Sequence, residues 1–329
     1  MVASPAMAVP LRKRVKRALR SVALRAAVRL LSWLPLAPAL ALGALLGRMA
    51  WLVARRERRL MLEHLALAFP DRTVDERRAI ARASLVHLGQ VVMEVVAVRS
   101  YGQRIEDYVS FAPGGEEIVR RAMARGKGLI FVAGHIGNWE LLARRLALVT
   151  QPNAVIARRN ADPRMNEMVA RFRAEGGNKT LWRDDPGTGR ELIKLFRQGG
   201  ALGILIDQDT KVQGVFVPFF GRPAFTPRAV GDLALRFGAT VVVGTSHRRG
   251  PRPGDGHELE IVELAYDPVP ADPEVEVERI TAEAVAQQEA AIRRHPSEWV
   301  WMHRRWKTRP LSEERLAKPM PKSRELSGT

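Results

Sequence analysis

From about residue 126 the chain alternates short apolar runs with longer amphipathic segments. The apolar runs are typical of buried strands and cover residues 129–134, 154–158, 202–207, 215–220, 241–246 and 259–264. The amphipathic segments predict helices over residues 139–149, 163–175, 189–198, 228–237 and 274–294. Such alternation predicts an α/β fold, with a mixed, mostly parallel sheet flanked by helices.

The first third of the chain has a different pattern. Residues 63–70 and 75–99 predict helices. Before them lies an uncharged stretch, residues 30–47, which approaches the ~20 apolar residues needed to cross a bilayer and reaches that length if residues 49–54 continue it. It lacks the small-residue cleavage pattern of a signal peptide, so we predict a retained membrane-anchoring helix.

The form of this anchor is left open by the sequence. Pro35 and Pro38 are expected to kink or interrupt a helix. Both flanks are basic, so the distribution of charge does not select an orientation. A tilted or re-entrant anchor on an anionic membrane surface fits equally well, and an apolar core helix is the alternative.

These patterns divide the chain into three parts. We predict a basic N-terminal segment and anchor over residues 1–56, a catalytic domain over residues 57–310, and a polar, proline-broken tail over residues 311–329 that is expected to be disordered.

Charge narrows the class of partner. The chain has 53 Lys and Arg against 35 Asp and Glu, a formal net charge of +18. Such a protein attracts anions, namely nucleic acid, an anionic membrane surface or a phosphorylated substrate. No acidic residue precedes Glu57, whereas eight basic residues precede the apolar stretch: Arg12, Lys13, Arg14, Lys16, Arg17, Arg20, Arg25 and Arg29.

Candidate chemistry lies where the first predicted strand turns into a helix. His135 and Glu140 are five residues apart, which on one continuous helix would point them in different directions, so they can meet only across a turn. Gly134 and Gly137 relax the backbone there, and Asn138 is a good N-cap. A histidine held by a carboxylate is a general base, although a purely structural pair is the alternative.

The chain offers this base no protein nucleophile. It has no cysteine, which also excludes disulfides and thiolate zinc sites, and no serine lies in a Gly-x-Ser-x-Gly elbow. The reacting hydroxyl is therefore expected to belong to the substrate.

Seven motifs occur in a fixed order along the chain. They are Leu65-Ala66-Leu67-Ala68-Phe69-Pro70, His135 with Glu140, Arg158 before Pro163, Asn178-Lys179, Asp207-Gln208-Asp209, residues 215–221, and residues 301–310. In these motifs, over most of the chain from about residue 50 to Pro310, the protein resembles the bacterial lipid A late acyltransferases. These are the lauroyl and myristoyl transferases within the His-x4-Asp/Glu lysophospholipid acyltransferase superfamily.

The resemblance implies a glycerolipid acyltransferase-like fold and transfer of a fatty acyl group to a hydroxyl of a lipid A precursor. The donor would be an acyl carrier protein or acyl-coenzyme A, used as co-substrate without a further cofactor or metal. The acceptor would be an anionic glycolipid on the cytoplasmic face of the bacterial inner membrane. His135 would be the general base, and Glu140 would orient it and stabilise its cationic form.

Further residues are candidates for binding or for stabilising the oxyanion. We expect the backbone amides of the turn from Gly137 through Asn138 to Trp139, with Arg158 at the end of the next strand, to donate to it. Lys179 is expected to bind substrate, and Asp207 and Asp209 to organise the site, with a plain turn as the alternative for the pair. Arg304 and Arg305 suit phosphate contacts beside an interfacial belt of Trp299, Trp301 and Trp306, and residues 215–220 suit the wall of an acyl groove.

Three departures from the family pattern leave the acceptor open: His64, Ala161-Asp162 and Thr210-Lys211. Another glycolipid such as a phosphatidylinositol mannoside, or a lysophospholipid, is the alternative acceptor. A basic membrane-attached binding protein is the alternative class, but no nucleic-acid motif occurs and no nucleic-acid partner is predicted. A metal hydrolase is disfavoured because the histidines lack the His-Glu-x-x-His spacing.

Overall fold

A computed structural model of the chain describes residues 22, 25–250, 252 and 254–310. The basic cluster from Arg12 to Arg20 and the predicted tail over residues 311–329 lie outside the described residues.

Long helices precede the sheet, namely α1 (Leu36–Val53), α2 (Arg55–Ala68) and α3 (Val74–Val96), and residues 25–31 are also helical. Pro35 and Pro38 do not interrupt α1, because the helix begins directly after Pro35 and its first turn accommodates Pro38. Thr73 and Glu76 begin α3 with a capping box, in which each side chain accepts from the other residue's backbone N–H.

Two of these helices, α1 and α3, are long and apolar enough to cross a membrane by length and composition. They also pack directly on each other. A Cβ placed on Gly89 of α3 would lie 2.1 Å from the backbone oxygen of Gly43 in α1. Backbones can approach this closely only where side chains are missing, so the apolar N-terminal helix lies against the domain that follows it.

A seven-stranded sheet forms the centre of the molecule, with strand order β1-β9-β8-β2-β5-β3-β4. The pair β8 and β9 is antiparallel and the other neighbours are parallel. The predicted mixed, mostly parallel sheet is therefore confirmed. Its strands are β1 (Val109–Phe111), β2 (Leu129–Ala133), β3 (Asn153–Ala157), β4 (Lys179–Trp182), β5 (Ala201–Leu205), β8 (Thr240–Arg248) and β9 (His257–Leu264).

The prediction missed three strands and placed one in the wrong setting. β1, β4 and β7 (Arg222–Pro227) are short or rich in polar residues and proline, so they carry little apolar signal. The run at residues 215–220 does form a strand, β6 (Gly214–Phe219), but it pairs only with β7, in a separate antiparallel hairpin.

Helices cover both faces of the sheet. They are α4 (Ile105–Tyr108), α5 (Gly115–Ala124), α6 (Trp139–Leu146), α7 (Pro163–Glu175), α8 (Thr188–Arg197), α9 (Ala229–Phe237) and α10 (Pro273–Arg294). Successive residues of β2 enter different cores. Ile130 and Val132 pack in one core with α2, α3 and α10, whereas Leu129 and Phe131 pack in the other with α5 and α6. Burial on both faces places the ends of β2 and β5 at the middle of the molecule.

Candidate active site

His135 and Asp207 meet where two neighbouring parallel strands end. β2 and β5 pair in register, with Ala133 opposite Leu205, and each strand is followed within two residues by one member of the pair. The backbone N–H of His135 donates to Asp207 Oδ2 at 2.7 Å, and His135 Nδ1 lies 2.8 Å from Oδ1. An ionised carboxylate only accepts hydrogen bonds, so Nδ1 carries the proton and Nε2 has a free lone pair.

Asp207 is almost fully buried, at 1% exposure. Burial by itself would raise the pKa of this carboxyl, but the His135 and His303 rings lower it well below its ordinary value. The Trp299 indole adds a hydrogen bond of 2.9 Å to Oδ2. Asp207 is consequently ionised at neutral pH and fixes both the orientation and the tautomer of His135.

Glu140 does not have the partner that the sequence suggested. Its carboxylate accepts two hydrogen bonds from the Arg173 guanidinium on α7, at 2.6 and 3.0 Å, and both side chains are largely buried. The expected hydrogen bond from His135 to Glu140 is therefore replaced by two pairs, His135 with Asp207 and Glu140 with Arg173. The physical reason is that helix α6 carries Glu140 away from the strand end towards α7.

The turn between β2 and α6 is held by the protein itself. Gly137 has φ 59°, and a Cβ there would lie 2.1 Å from the Ser246 carbonyl oxygen. The Gly137 N–H donates to the Glu298 carbonyl at 3.0 Å, and the Asn138 N–H donates to Ser246 Oγ at 2.9 Å. The Gly137 and Asn138 amides, which were expected to stabilise an oxyanion, are thus already occupied.

Asn138 connects this turn to α3. Its side-chain oxygen caps α6 by accepting from Leu141 N, as predicted for an N-cap, and its Nδ2 donates to Glu94 at 2.8 Å. Glu94 is fully buried and also accepts from Tyr108, His257 and Arg248, at 2.7, 3.0 and 2.7 Å. This buried network fixes the position of the turn by linking Asn138 to α3.

Two further side chains lie beside His135. The His303 ring centroid is 4.8 Å from that of His135, and Gln208 Nε2 is 3.2 Å from His135 Nε2 and 3.0 Å from both His303 nitrogens. Burial, and then the repulsion between the two rings when both are protonated, lower the pKa of His303 to about 4. Sequence reasoning missed both residues, although Gln208 lies between the two aspartates and His303 lies within the last motif.

His135, Asp207 and His303 are a possible metal-ligand set, with one donor atom from each within 4.8 Å of the others. Two of the donors, His135 Nδ1 and Asp207 Oδ1, are already hydrogen-bonded to each other. The expectation that no metal is required stays a prediction.

Other predicted residues lie away from this cluster. Lys179 begins β4, so it lies at the N-terminal ends of the parallel strands, whereas His135 and Asp207 follow the C-terminal ends. It is exposed and paired with Glu191. Arg158 ends β3 at the expected edge but is exposed, and β5 separates its strand from β2. Asp209 accepts from the backbone N–H and hydroxyl of Thr308, which ties the last motif to the strand end.

The last motif is mostly interior. Trp299 and Trp301 are fully buried, so they do not form an interfacial belt. Arg305 is also fully buried and donates to the Phe225 carbonyl and to Thr226 Oγ1, both at 2.6 Å. It therefore supports the hairpin β6–β7 and is not available to a phosphate. Arg304 is exposed, as a phosphate contact requires.

An apolar cavity of about 60 Å³ lies under α6, against β3 and β5. Trp139, Glu140 and Arg173 are at its polar end, and Leu146 and Ile204 are among its apolar lining. By contrast, Phe219 of the predicted acyl groove packs in the core.

Comparison with known proteins gives one family. A family model described as bacterial lipid A biosynthesis acyltransferase matches residues 12–308. The chain is 27% identical over 272 residues to the lipid A biosynthesis lauroyltransferase of Escherichia coli (strain K12). The aligned region covers 82% of this chain and 85% of that protein. It is 26% identical over 283 residues to the lipid A biosynthesis palmitoleoyltransferase of the same strain, covering 84% and 87%. It is also 26% identical over 242 residues to the phosphatidylinositol mannoside acyltransferase of Mycobacterium tuberculosis (strain CDC 1551 / Oshkosh), covering 71% and 72%.

Proposed function

Because the chain belongs to the bacterial lipid A biosynthesis acyltransferase family, we propose that it moves a fatty acyl group from a thioester to a hydroxyl of a lipid A precursor. The protein is an acyltransferase; the base, the donor and the acceptor are the proposal. The observation that carries it is the His135–Asp207 pair, which leaves Nε2 unprotonated at the edge of the sheet where two strands end.

In the proposed reaction His135 Nε2 takes the proton of the acceptor hydroxyl while that oxygen attacks the thioester carbonyl. A C–O bond forms and the carbonyl oxygen becomes an oxyanion. When the tetrahedral intermediate collapses, the C–S bond breaks and Nε2 returns the proton to the departing thiolate. Asp207 stabilises the imidazolium between these two steps, as the carboxylate does in a serine protease triad.

The Glu140–Arg173 pair joins the start of α6 to α7, and both residues line the apolar cavity. We infer that it holds the Trp139 end of α6 in place while the cavity receives part of the acyl chain. At about 60 Å³ the cavity would have to widen to take a long chain. The proposed donor is an acyl carrier protein or acyl-coenzyme A, the two acyl thioesters of a bacterial cytoplasm.

The proposed location is the cytoplasmic face of the inner membrane. Support comes from the exposed apolar side chains of α1, which include Leu45, Met49 and Leu52, and from the net charge of +18. Apolar side chains beside a basic surface suit an anionic bilayer.

The test compares membranes that contain the wild type, His135→Ala or His295→Ala. His295 is a matched control because it stacks on His247. Each membrane is incubated with acyl carrier protein thioesters or acyl-coenzyme A of several chain lengths and with a Kdo-bearing lipid A precursor, and products are measured by mass spectrometry. We expect a gain of one acyl group with the wild type and His295→Ala only. Acyl transfer by His135→Ala equal to that of the wild type would refute the role of His135 as the general base.

A second acceptor is favoured by one comparison, the relative named as a phosphatidylinositol mannoside acyltransferase. If the lipid A precursor gains no mass, the same membranes should be tested with phosphatidylinositol mannosides and then with lysophospholipids. A product from one of these acceptors would replace lipid A in the proposal and leave the role of His135 intact.

A further inference from the structure

An oxyanion formed next to His135 needs N–H donors, and the backbone amides of Gly137 and Asn138 are already used. Gly137 N–H donates to the Glu298 carbonyl and Asn138 N–H donates to Ser246. The side-chain amide of Asn138 is fully buried and donates to Glu94. Stabilisation of this oxyanion therefore leaves a role for a side-chain donor in the site.

Gln208 is the amide closest to the reacting nitrogen. Its Nε2 lies 3.2 Å from His135 Nε2. Gln208 directly follows Asp207, and Asp207 binds both the backbone and the ring of His135. A single strand end therefore fixes the general base and the amide relative to each other.

His303 holds the same amide from the other side. Both of its ring nitrogens lie 3.0 Å from Gln208 Nε2. Because these two distances are equal, the amide nitrogen packs against the His303 ring and is not in line with either nitrogen alone. On its other side the amide nitrogen lies 3.2 Å from His135 Nε2 and 3.4 Å from Nδ1, beside the place that a substrate hydroxyl must take.

We propose that Gln208 is a catalytic residue whose side-chain amide donates to the oxyanion of acyl transfer. When the acceptor hydroxyl binds to His135 Nε2, the amide beside it donates to the thioester carbonyl oxygen. The attacking oxygen and the oxyanion are bonded to the same carbon, so a donor beside Nε2 reaches both. This role rests on the proposed function. A neutral amide suits it, because a half-buried dipole fixed in advance stabilises new charge more than water does.

The kinetic test uses the full-length protein in membranes and the variants Gln208→Ala and Gln208→Glu. Gln213→Ala is the control, an exposed glutamine close in the chain. Loss of one oxyanion donor lowers kcat by about 10²–10³-fold, so we expect this loss for Gln208→Ala with little change in either KM. Gln208→Glu should be slower still, because its carboxylate repels the oxyanion, and Gln213→Ala should match the wild type.

A binding test separates this role from a structural one. A trifluoromethyl ketone analogue of the acyl-coenzyme A donor forms a tetrahedral hydrate that resembles the intermediate, whereas a thioether analogue resembles neither the carbonyl nor the oxyanion. Gln208→Ala should weaken binding of the ketone by a factor close to its loss in kcat and leave the thioether unaffected. Equal weakening of both analogues, or an unchanged kcat, would overturn the proposal.

The two proposals fail in different ways. If the wild type transfers acyl groups and His135→Ala does not, an active Gln208→Ala removes only the role of Gln208. If the wild type transfers an acyl group to none of the acceptors, the proposed function is wrong and the role of Gln208 is wrong with it.

Discussion

At the scale of single residues, the five-residue spacing of His135 and Glu140 does not make them partners, because each is paired with a residue from another element. The His135 backbone N–H and ring Nδ1 both bind the carboxylate of Asp207, one to each of its oxygens. Glu140 and Arg173 form a second pair with two hydrogen bonds. Loss of either member of that pair leaves a largely buried charge without its partner, which is costly.

We predict that Glu140→Gln and Arg173→Gln lower kcat/KM to a similar extent and that the double variant is no slower than either single one. Residues that act as one unit show coupling energies of about 0.5–3 kcal/mol. The measurement is a double-mutant cycle on kcat/KM. Additive losses would mean that Glu140 acts independently of Arg173, for example on His135 itself.

Two groups near the site should give the stability opposite responses to pH. Burial raises the pKa of Glu298 to about 7, from 4.5, and lowers that of His303 to about 4, from 6.5. Between pH 4.5 and 6.5 the folded protein holds a proton on Glu298 that the unfolded chain lacks, so this group makes stability fall as pH rises. Over the same range the folded protein lacks a proton on His303 that the unfolded chain holds, so His303 makes the stability of the fold rise with pH. Each slope is at most about 1.4 kcal/mol per pH unit.

Single variants should reveal these opposed slopes. Relative to the wild type, Glu298→Gln should lose stability more steeply as pH falls from 6.5 to 4.5, and His303→Gln more steeply as pH rises over the same range. Thermal unfolding in detergent at several pH values measures this, with the exposed Glu278→Gln as control. Slopes that match the wild type would show that neither group titrates as described.

At the scale of elements, α3 connects the apolar N-terminal helix to the candidate site. One side of α3 packs on α1 through Gly89. Other positions bind the neighbourhood of the site, with Ser84 Oγ donating to the Trp299 carbonyl at 2.8 Å and Glu94 accepting from Asn138. A change in how α1 packs therefore acts on the helix that supports the turn after β2.

We predict that Gly89→Ala destabilises the protein by about 1–3 kcal/mol, the usual cost of overpacking. The added methyl group would meet the Gly43 backbone oxygen, which cannot move aside unless the helices separate. Gly189→Ala is the matched control, since a Cβ there has nothing within 4 Å. Thermal unfolding and limited proteolysis of α1 measure the effect, and equal stability of the two variants would contradict the close packing.

At the scale of the whole molecule, α1 has one buried side and one exposed apolar side. Ala39, Leu40 and Ala44 are buried, whereas Leu45 and Leu52 are 50% and 69% exposed. The helix therefore belongs partly to the protein core and partly to a surface that suits a membrane, and both sequence interpretations of the apolar stretch describe part of it.

We predict that Leu45→Gln, Met49→Gln and Leu52→Gln together weaken binding to anionic lipid vesicles, because full burial of one such side chain contributes about 1.5–3 kcal/mol. The control replaces three exposed apolar residues elsewhere by glutamine: Leu148, Val269 and Val275. Cosedimentation at low and high salt also measures the electrostatic contribution, which salt should reduce. Equal binding of the two triple variants would exclude α1 as the membrane contact.

The sequence by itself determined the class of fold and the location of the site. Periodicity of apolar positions is a local signal, so it identified six strands and the helices between them. Glycine and cap residues placed His135 at a strand end, and the apolar run before Asp207 did the same for that residue; parallel sheets bring such side chains together. Family motifs in order indicated acyl transfer, and the match over residues 12–308 agrees.

Only the tertiary structure decided which residues are partners. The strand order places β5 beside β2, so Asp207 becomes the partner of His135. The packing of α7 on α6 makes Arg173 the partner of Glu140. Trp301 and Arg305 are buried, although the alternation of tryptophan and basic residues in the last motif suggested a surface that contacts lipid and phosphate. The physical reason is that hydrogen-bond partners and desolvation depend on contacts between distant parts of the chain, and no local pattern of residues encodes them.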